Sequence, residues 1–298
     1  MNSKIQELVK IHTNSENILE IELIQSLWDG YGELNRVNTQ NKSVIVKLIK
    51  YPVSAHKRKI KSYEVEIDWY KNYTKHISVA YTPKYIASGK IEDYRYLILE
   101  DLKDKNFQQK KEVSFEEIKY CLKWLASFHA KYLNLEPKKL WNIGSYWHLE
   151  TRPDEYRSMK DLELKEVAHL IDQKLNQAKY QTIIHGDAKL ANFLINDSKA
   201  SAVDFQYVGG GCGIKDVVYF LSSIYSADEL FKNEEIFLNY YFEKFNQLVK
   251  NKEIEDEWRE LYPYAWVDFY RFLNGWAPEH YKVNKYSKEM RDKVIKCI

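Results

Sequence analysis

Residues 183–195 read Ile-Ile-His-Gly-Asp-Ala-Lys-Leu-Ala-Asn-Phe-Leu-Ile, and this stretch decides how the rest of the chain is interpreted. A short apolar strand leads into a His-Gly-Asp turn that ends at Asp187. Asn192 follows five residues later, and Asp204 comes twelve residues after Asn192, behind further apolar strands. Oxygens at the ends of neighbouring strands can converge on one cleft, and carboxylate and amide oxygens are donors that Mg²⁺ accepts. The stretch therefore predicts a site for magnesium-phosphate chemistry.

This spacing resembles the catalytic loop and metal-binding aspartate of the protein-kinase-like superfamily. The His-Gly-Asp and Asp-Phe-Gln triplets resemble its small-molecule branch, the phosphotransferases of the aminoglycoside and choline kinase type. Residues 204–221 are most similar to the ecdysteroid kinase-like members, and Leu-Ala-x-x-His at 125–129 adds support. The resemblance covers residues 20 to 280. It implies an α+β, two-lobed kinase-like fold and ATP-dependent transfer of the γ-phosphoryl group to a hydroxyl of a small molecule.

The resemblance also implies roles for individual residues. Asp187 would orient the acceptor hydroxyl and take its proton, while Asn192 and Asp204 would be the magnesium ligands, so these three form the expected catalytic set. Asp216 has two interpretations, a buried carboxylate that holds the catalytic loop or the N-cap of the helix that follows. His185 is expected to brace the loop, because this family does not use it for proton transfer.

Lys47 is the notable residue of the N-terminal third, because it is a lone cation inside the apolar strand 44–49. Such a cation needs a partner or a function. The resemblance implies that it holds the α- and β-phosphates of ATP and pairs with a glutamate of the next helix. The helical face favours Glu66, and Glu64 remains open. The alternative for Lys47 is an edge-strand lysine that points at water.

Other nucleotide contacts are expected at two turns. Gly30 and Gly32 could belong to a phosphate-binding loop, but Asn35 stands where a third glycine would complete the pattern. They could equally form a hairpin turn. The resemblance implies that Glu100 and Leu102 present backbone groups to a purine, and both ATP and GTP remain open.

The two parts of the chain differ in pattern. Strands and one helix are predicted up to about residue 100, and helices dominate afterwards, beginning with a capping box at residues 114–117. We therefore predict an N-terminal nucleotide-binding lobe at residues 1–102 and a C-terminal catalytic and acceptor-binding lobe at 103–298, with the ligand in the cleft between them. The glycine run 209–211 is expected to be a flexible turn.

The acceptor pocket is expected along the aromatic helix near the C-terminus and the loop after it. Residues 258–281 hold more aromatic rings than one narrow core stripe requires. Trp266 and Tyr270 share a helix face, and Asp268 would supply a polar group nearby. The rings could instead form core. A pocket of this kind would suit a quaternary ammonium group through cation–π contact or a sterol-like molecule.

Composition limits the classes of partner. Forty-five basic and 43 acidic residues give a net charge of +2, which argues against nucleic acid as the main partner. Three widely spaced cysteines argue against a disulfide framework and fit a reducing compartment. No apolar run has the length of a signal peptide or a membrane span, so a cytoplasmic protein with a small-molecule partner and no membrane partner is expected. A catalytically silent kinase-fold binding protein is the alternative function.

Overall fold

The computed structural model describes residues 2–74 and 80–298. Its N-terminal part is a five-stranded antiparallel sheet in the order β1-β2-β3-β5-β4, with helix α2 between the third and fourth strands of the chain. The elements of this part are α1 (Asn2–Thr13), β1 (Ile18–Ser26), β2 (Gly32–Thr39), β3 (Ser43–Lys50), α2 (Lys57–Asn72), β4 (Tyr85–Ile91) and β5 (Tyr94–Glu100).

Strand β3 lies at the centre of the sheet because its β-branched residues can be buried on both faces. Val44, Val46 and Leu48 point to one side, where they pack in a cluster with apolar residues of α1. The side chain of Lys47 alternates to the other side, toward α2. The central position and burial of Lys47 exclude the edge-strand interpretation.

The C-terminal part is mainly helical, with three short strand pairings near the cleft. Its elements are β6 (Gln108–Gln109), α3 (Phe115–Lys131), α4 (Pro153–Arg157), α5 (Leu162–Asn176), β7 (Thr182–Ile184), β8 (Phe193–Ile195), β9 (Ala200–Ala202), β10 (Gly209–Gly211), α6 (Ile214–Ile224), α7 (Ala227–Leu248), α8 (Lys252–Trp276) and α9 (Lys285–Ile295). Residues of α3, α6, α7 and α8 fill the largest apolar core. The α+β, two-lobed fold class is confirmed, and the division between residues 102 and 103 stays a prediction.

The helix starts follow local sequence signals. Ser114 and Glu117 form the predicted capping box, in which each side chain accepts from the other residue's backbone N–H. Ser226 and Glu229 form the same motif at the start of α7. In the part of the chain that is described, no helix has both the length and the hydropathy required to cross a membrane.

The prediction of a flexible turn at the three glycines is wrong, because they form strand β10 against β7. Gly209 also forms a parallel bridge with Trp141. A Cβ atom on Gly209 would lie 2.2 Å from the carbonyl oxygen of Trp141, and one on Gly211 would lie 2.7 Å from the Ile184 side chain. Glycine is therefore required here for close backbone approach, and the segment is fixed rather than flexible.

Candidate active site

The His-Gly-Asp turn follows directly after β7 and is shaped by the backbone of Gly186. This residue has φ +76°, and a Cβ atom there would lie 2.2 Å from the carbonyl oxygen of Tyr207. Only glycine has room in this left-handed position. The turn therefore brings Asp187 to the end of β7 with the chain pressed against residue 207.

The buried carboxylate of Asp216 holds the turn in place through hydrogen bonds. It accepts hydrogen bonds from the backbone N–H of His185 at 2.6 Å and of Gly186 at 2.9 Å. The ring Nε2 of His129 lies 3.1 Å from the same carboxylate. Helix α6 begins at Ile214 with Gly213 as its N-cap, so the N-cap interpretation of Asp216 is wrong. The structure places it as the residue that holds the loop.

His185 uses both ring nitrogens inside the turn. Its Nδ1 accepts from the backbone N–H of Asp187 at 3.2 Å, and its Nε2 lies 3.0 Å from the carbonyl oxygen of Val203. These partners require a neutral ring with the proton on Nε2. His185 therefore ties the turn to the segment before Asp204 and has no free nitrogen with which to act as a base.

Asp187 is buried at the floor of the cleft, with its two carboxylate oxygens in different surroundings. Oδ2 accepts from Asn192 Nδ2 at 3.0 Å and from Lys189 Nζ at 3.1 Å. Oδ1 is also buried but has no hydrogen-bond partner among the described residues. Burial raises the pKa of Asp187, and the Lys189 ammonium opposes this effect. The free oxygen can therefore accept a hydrogen bond from a ligand and then its proton.

The second carboxylate of the site, Asp204, faces Lys47 across the cleft. Lys47 Nζ lies 2.6 Å from Glu66 Oε2 and 3.6 Å from Asp204 Oδ1. Burial alone would lower the pKa of Lys47, but the two carboxylates more than offset it and raise that pKa. Glu64 points elsewhere and pairs with Arg95 at 3.1 Å. The structure thus brings Glu66, not Glu64, to the lysine.

These residues lie along one cavity of about 930 Å³ between the sheet and the helical part. Lys47, Glu66, Asp187, Asn192 and Asp204 all line it, as do the hinge residues 99–103. The segment 99–103, which links β5 to the helical part, therefore borders the same space as the charged residues.

The two predicted turns differ in their placement. The Glu100 carboxylate accepts from Tyr81 Oη at 2.9 Å and from the backbone N–H of Lys84 at 3.1 Å, so its side chain is already engaged at the hinge beside Leu102. Gly30 and Gly32 do not line the cavity. Gly30 lies in the hairpin turn between β1 and β2, Gly32 is the first residue of β2, and a contact of these two residues with phosphate stays a prediction.

Two oxygens of the site fit a magnesium ion. Asn192 uses Nδ2 to donate to Asp187, so its Oδ1 remains an acceptor. Asp204 Oδ1 is buried and lacks a hydrogen-bond partner among the described residues. Within residues 2–74 and 80–298 no group of three or more His, Cys, Asp or Glu residues could hold a metal. A site with one carboxylate and one amide suits magnesium, which usually keeps waters and substrate phosphates in its shell.

The structure places Trp266, Tyr270 and Asp268 away from the cavity, and their assignment to the acceptor pocket is wrong. Trp266 packs in the core, with its ring centroid 4.9 Å from that of Tyr286. Tyr270 is buried in the same apolar core.

Asp268 is part of a fully buried charge network. It accepts from Arg271 Nη2 at 2.8 Å and from Trp147 Nε1 at 2.9 Å, and Lys215 Nζ lies 3.4 Å away. These interactions lower the pKa of Asp268 despite the opposing effect of burial. The polar groups of α8 therefore bind one another and hold α6 and α8 together, and they do not face a ligand.

Helix α8 does border the cavity, but through a different face. Phe269, Phe272, Leu273 and Trp276 line the end of the cavity beyond Asp187. Successive residues of a helix point about 100° apart around its axis, so Phe269 faces the cavity whereas its neighbour Tyr270 faces the core.

The cavity is also lined by Tyr146, Arg152, Tyr207, Tyr219, His280, Tyr281 and Lys282, of which only His280 and Tyr281 fall within the predicted range 258–281. The loop after α8 was predicted to take part, and three of these residues belong to it. The aromatic-rich irregular segment 141–153 was the available signal for two others.

Replacing Trp266 with alanine tests the corrected assignment. We expect Trp266→Ala to lower the free energy of unfolding by about 3–5 kcal/mol, because the ring is 2% exposed and its loss leaves a core cavity. Trp276→Ala is the matched control. That ring is 56% exposed, so its removal should cost about 1 kcal/mol or less in a urea titration. Equal losses in the two variants would contradict the assignment of Trp266 to the core.

Comparison with solved structures agrees with this architecture. The chain is similar to a microcompartment-associated aminopropanol kinase at TM-score 0.60 and 15% identity, over 99% of this chain and 93% of that one. It is similar to amicoumacin kinase at TM-score 0.61 and 14% identity, over 98% and 96%. Choline kinase from Cryptosporidium parvum Iowa II gives TM-score 0.59 and 10% identity, over 100% and 94%. At identities this low, the structural similarity establishes a shared fold alone.

A search of curated proteins finds no significant match to the sequence. A family model does match, over residues 30–142 and 142–254, and it describes the ecdysteroid kinase-like family. The matched ranges contain Lys47, Asp187 and Asp204, and they cover most of the chain. The chain belongs to the ecdysteroid kinase-like family, whose fold is that of the small-molecule kinases.

Proposed function

We propose that this protein transfers the γ-phosphoryl group of ATP to a hydroxyl of a small molecule. The observation that carries the proposal is the meeting of Lys47, Asp187, Asn192 and Asp204 in one cavity. A catalytically silent binding protein has no physical need to keep two buried carboxylate oxygens without hydrogen-bond partners. The solved structure of amicoumacin kinase contains AMP-PNP and Ca²⁺, which supports nucleotide and divalent metal binding in this fold.

The charged groups would divide the work of phosphoryl transfer. Lys47 is held charged by Glu66 and would neutralise the phosphates of ATP. Asn192 and Asp204 would hold magnesium, which would supply charge neutralisation at the phosphates when bound. This chemistry requires positioning and charge neutralisation more than covalent participation by the protein.

Asp187 would act on the acceptor. Its free Oδ1 would accept a hydrogen bond from the acceptor hydroxyl and align that oxygen with the γ-phosphorus. The new bond joins the acceptor oxygen to phosphorus, the bond between phosphorus and the leaving oxygen of ADP breaks, and the hydroxyl proton passes to Asp187. The pKa of Asp187, which burial raises, makes this carboxylate a better proton acceptor.

The activity can be tested by measuring ATP and GTP consumption with a panel of hydroxylated compounds that includes choline, aminoglycosides and steroids. Formation of a phosphorylated product, detected by mass spectrometry, would establish transfer and exclude the silent binding protein. Tight nucleotide binding without product from any acceptor would favour the silent alternative.

Asp204→Ala tests the metal site. AMP-PNP at a hundred times its Kd should stabilise the parent by about 2.7 kcal/mol in the presence of magnesium. We expect the magnesium-dependent part of this shift to vanish in the variant, because one of the two proposed ligands is lost. Asp93→Ala removes an exposed carboxylate remote from the site and serves as control. An unchanged magnesium-dependent shift in Asp204→Ala would place the metal elsewhere.

A further inference from the structure

Lys282 is a buried cation in the acceptor end of the cavity. It lies in the loop between α8 and α9, is 8% exposed and lines the cavity. Among residues 2–74 and 80–298, its Nζ has one hydrogen-bond partner, Ser222 Oγ at 3.4 Å. No carboxylate of the described residues lies within 4.0 Å of this ammonium group. Lys282 therefore differs from Lys47 and Lys189, both of which have a carboxylate partner in the same cavity.

The surroundings of the ammonium group are aromatic. Nζ lies 4.9 Å from the ring centroid of Tyr219, 5.4 Å from that of Phe269 and 5.9 Å from that of Tyr281. Three rings at such distances form the kind of cage that binds a cationic ligand. Here the protein's own ammonium group already occupies it. A cationic group on an acceptor would meet an occupied cage and a like charge.

At this end of the cavity, Arg152 and Lys189 already have carboxylate partners, and Lys282 has none in the described part of the chain. Arg152 stands over the Phe272 ring and pairs with Glu155 at 3.2 Å. Lys189 pairs with Asp187 at 3.1 Å. A buried ammonium without an ion-pair partner is unfavourable. Burial accordingly lowers the pKa of Lys282 to about 8, against the effect of Asp187, so the group still carries its proton at pH 7.

The position of Lys282 links this charge to the reaction. The ring nearest its ammonium group belongs to Tyr219, which lines the same cavity as Asp187. Tyr219, Phe269 and Phe272 form the apolar wall on that side. A molecule with its hydroxyl at Asp187 would therefore place its body on these rings and its far end near Lys282.

We propose that the acceptor is an anionic alcohol, in which an apolar ring body carries the reacting hydroxyl and a carboxylate-type group that pairs with Lys282. The inference rests on the proposed function for the hydroxyl, whereas the anion site depends only on Lys282 and its aromatic neighbours. It excludes choline-like and aminoglycoside-like acceptors, whose cationic groups would approach the occupied cage.

Matched ligands can test the anion site. Each set shares one hydroxylated body and differs in one substituent, a carboxylate, a neutral carboxamide or a trimethylammonium group, with hydroxymethylbenzene, hydroxymethylnaphthalene and hydroxysteroid bodies. Kd is measured calorimetrically with Mg·AMP-PNP present. On the body that binds most tightly, the carboxylate should bind at least tenfold better than the carboxamide, which corresponds to about 1.4 kcal/mol, and the trimethylammonium compound should bind worst.

Variants assign the preference to Lys282. Lys282→Met should abolish the carboxylate advantage, while Lys282→Arg should retain it. Lys288→Met removes an exposed lysine six residues away and should change nothing. A carboxylate advantage that survives in a folded Lys282→Met, a trimethylammonium compound that binds as well as the carboxylate, or no discrimination on any body would each overturn the proposal.

Binding and turnover distinguish this proposal from the proposed function. Selective carboxylate binding without any phosphorylated product would retain the anion site and refute the phosphotransferase. Equal phosphorylation of the anionic, neutral and cationic members would establish the phosphotransferase and refute the anion site.

Discussion

Asp187→Asn is expected to lower the rate of phosphoryl transfer by about a thousandfold or more, which is as large as the contribution that a general base usually makes. The amide cannot take the hydroxyl proton, and its nitrogen cannot serve as the acceptor that Oδ1 provides. The affinity for Mg·AMP-PNP should stay within a few-fold, because Lys47 and Asp204 do not bond to Asp187, and Asn192 keeps its hydrogen bond to the backbone oxygen of residue 187.

The measurement is kcat with the best acceptor of the panel, together with Kd for Mg·AMP-PNP by calorimetry. Asp197→Asn makes the same change of charge on an exposed turn ten residues later and should leave both values unchanged. Turnover of Asp187→Asn near that of the parent would show that another group accepts the proton.

Asp216→Ala should have the largest effect on stability. Its carboxylate accepts from the backbone N–H groups of His185 and Gly186 and faces Nε2 of His129. With a carboxylate as partner, Nε2 carries the proton, and Nδ1 can accept from Tyr241 Oη at 2.8 Å. Three buried donors would lose their acceptor at about 1–3 kcal/mol each, so a loss of roughly 3–9 kcal/mol is expected.

Urea unfolding measures this loss, and Asp228→Ala is the control. Asp228 is an exposed carboxylate in the first turn of α7, where its contribution should be about 1 kcal/mol or less. Asp216→Asn retains one oxygen and should fall between Asp216→Ala and the parent. A folded Asp216→Ala with parental stability and turnover would contradict the role of this carboxylate in holding the loop.

The sequence was sufficient for the charged part of the site because its geometry follows from short-range rules. Asp187, Asn192 and Asp204 stand at the ends of short strands that pair within one small region of the chain. The choice of Glu66 over Glu64 followed from the rotation of a helix, since the two side chains lie about 200° apart around its axis. Glu66 faces Lys47 in the interior, and Glu64 faces Arg95.

The rotation of residues around a helix did not predict the acceptor pocket, because α8 carries aromatic residues on several faces. Trp266 and Phe269 are both large and apolar, so composition does not tell which of them meets the core and which meets the cavity. Asp268 misled for another reason. Its nearest charged partner, Arg271, lies three residues away on the same helix, but Lys215 on α6 and Trp147, which complete the buried network, lie more than fifty residues away and leave no local pattern.

Helix α1 could have been predicted from the sequence, whereas the inward position of Lys282 could not, and both outcomes have a physical reason. Helix α1 carries Ile5, Leu8 and Val9 at helical spacing on its buried side, so its signal was present in the sequence. Lys282 lies in an irregular loop, where no periodicity indicates which side chains turn inward. Only the packing of that loop against Tyr219 and Phe269 shows it.

The glycines of β10 affect how this protein can vary under natural selection. Strand β7, against which they pack, runs directly into the turn that carries Asp187. A methyl group at Gly209 would have to displace the main chain at Trp141 and Gly144. Three residues without any functional group thus help to position the carboxylate, and we expect selection to remove mutations there for catalytic reasons.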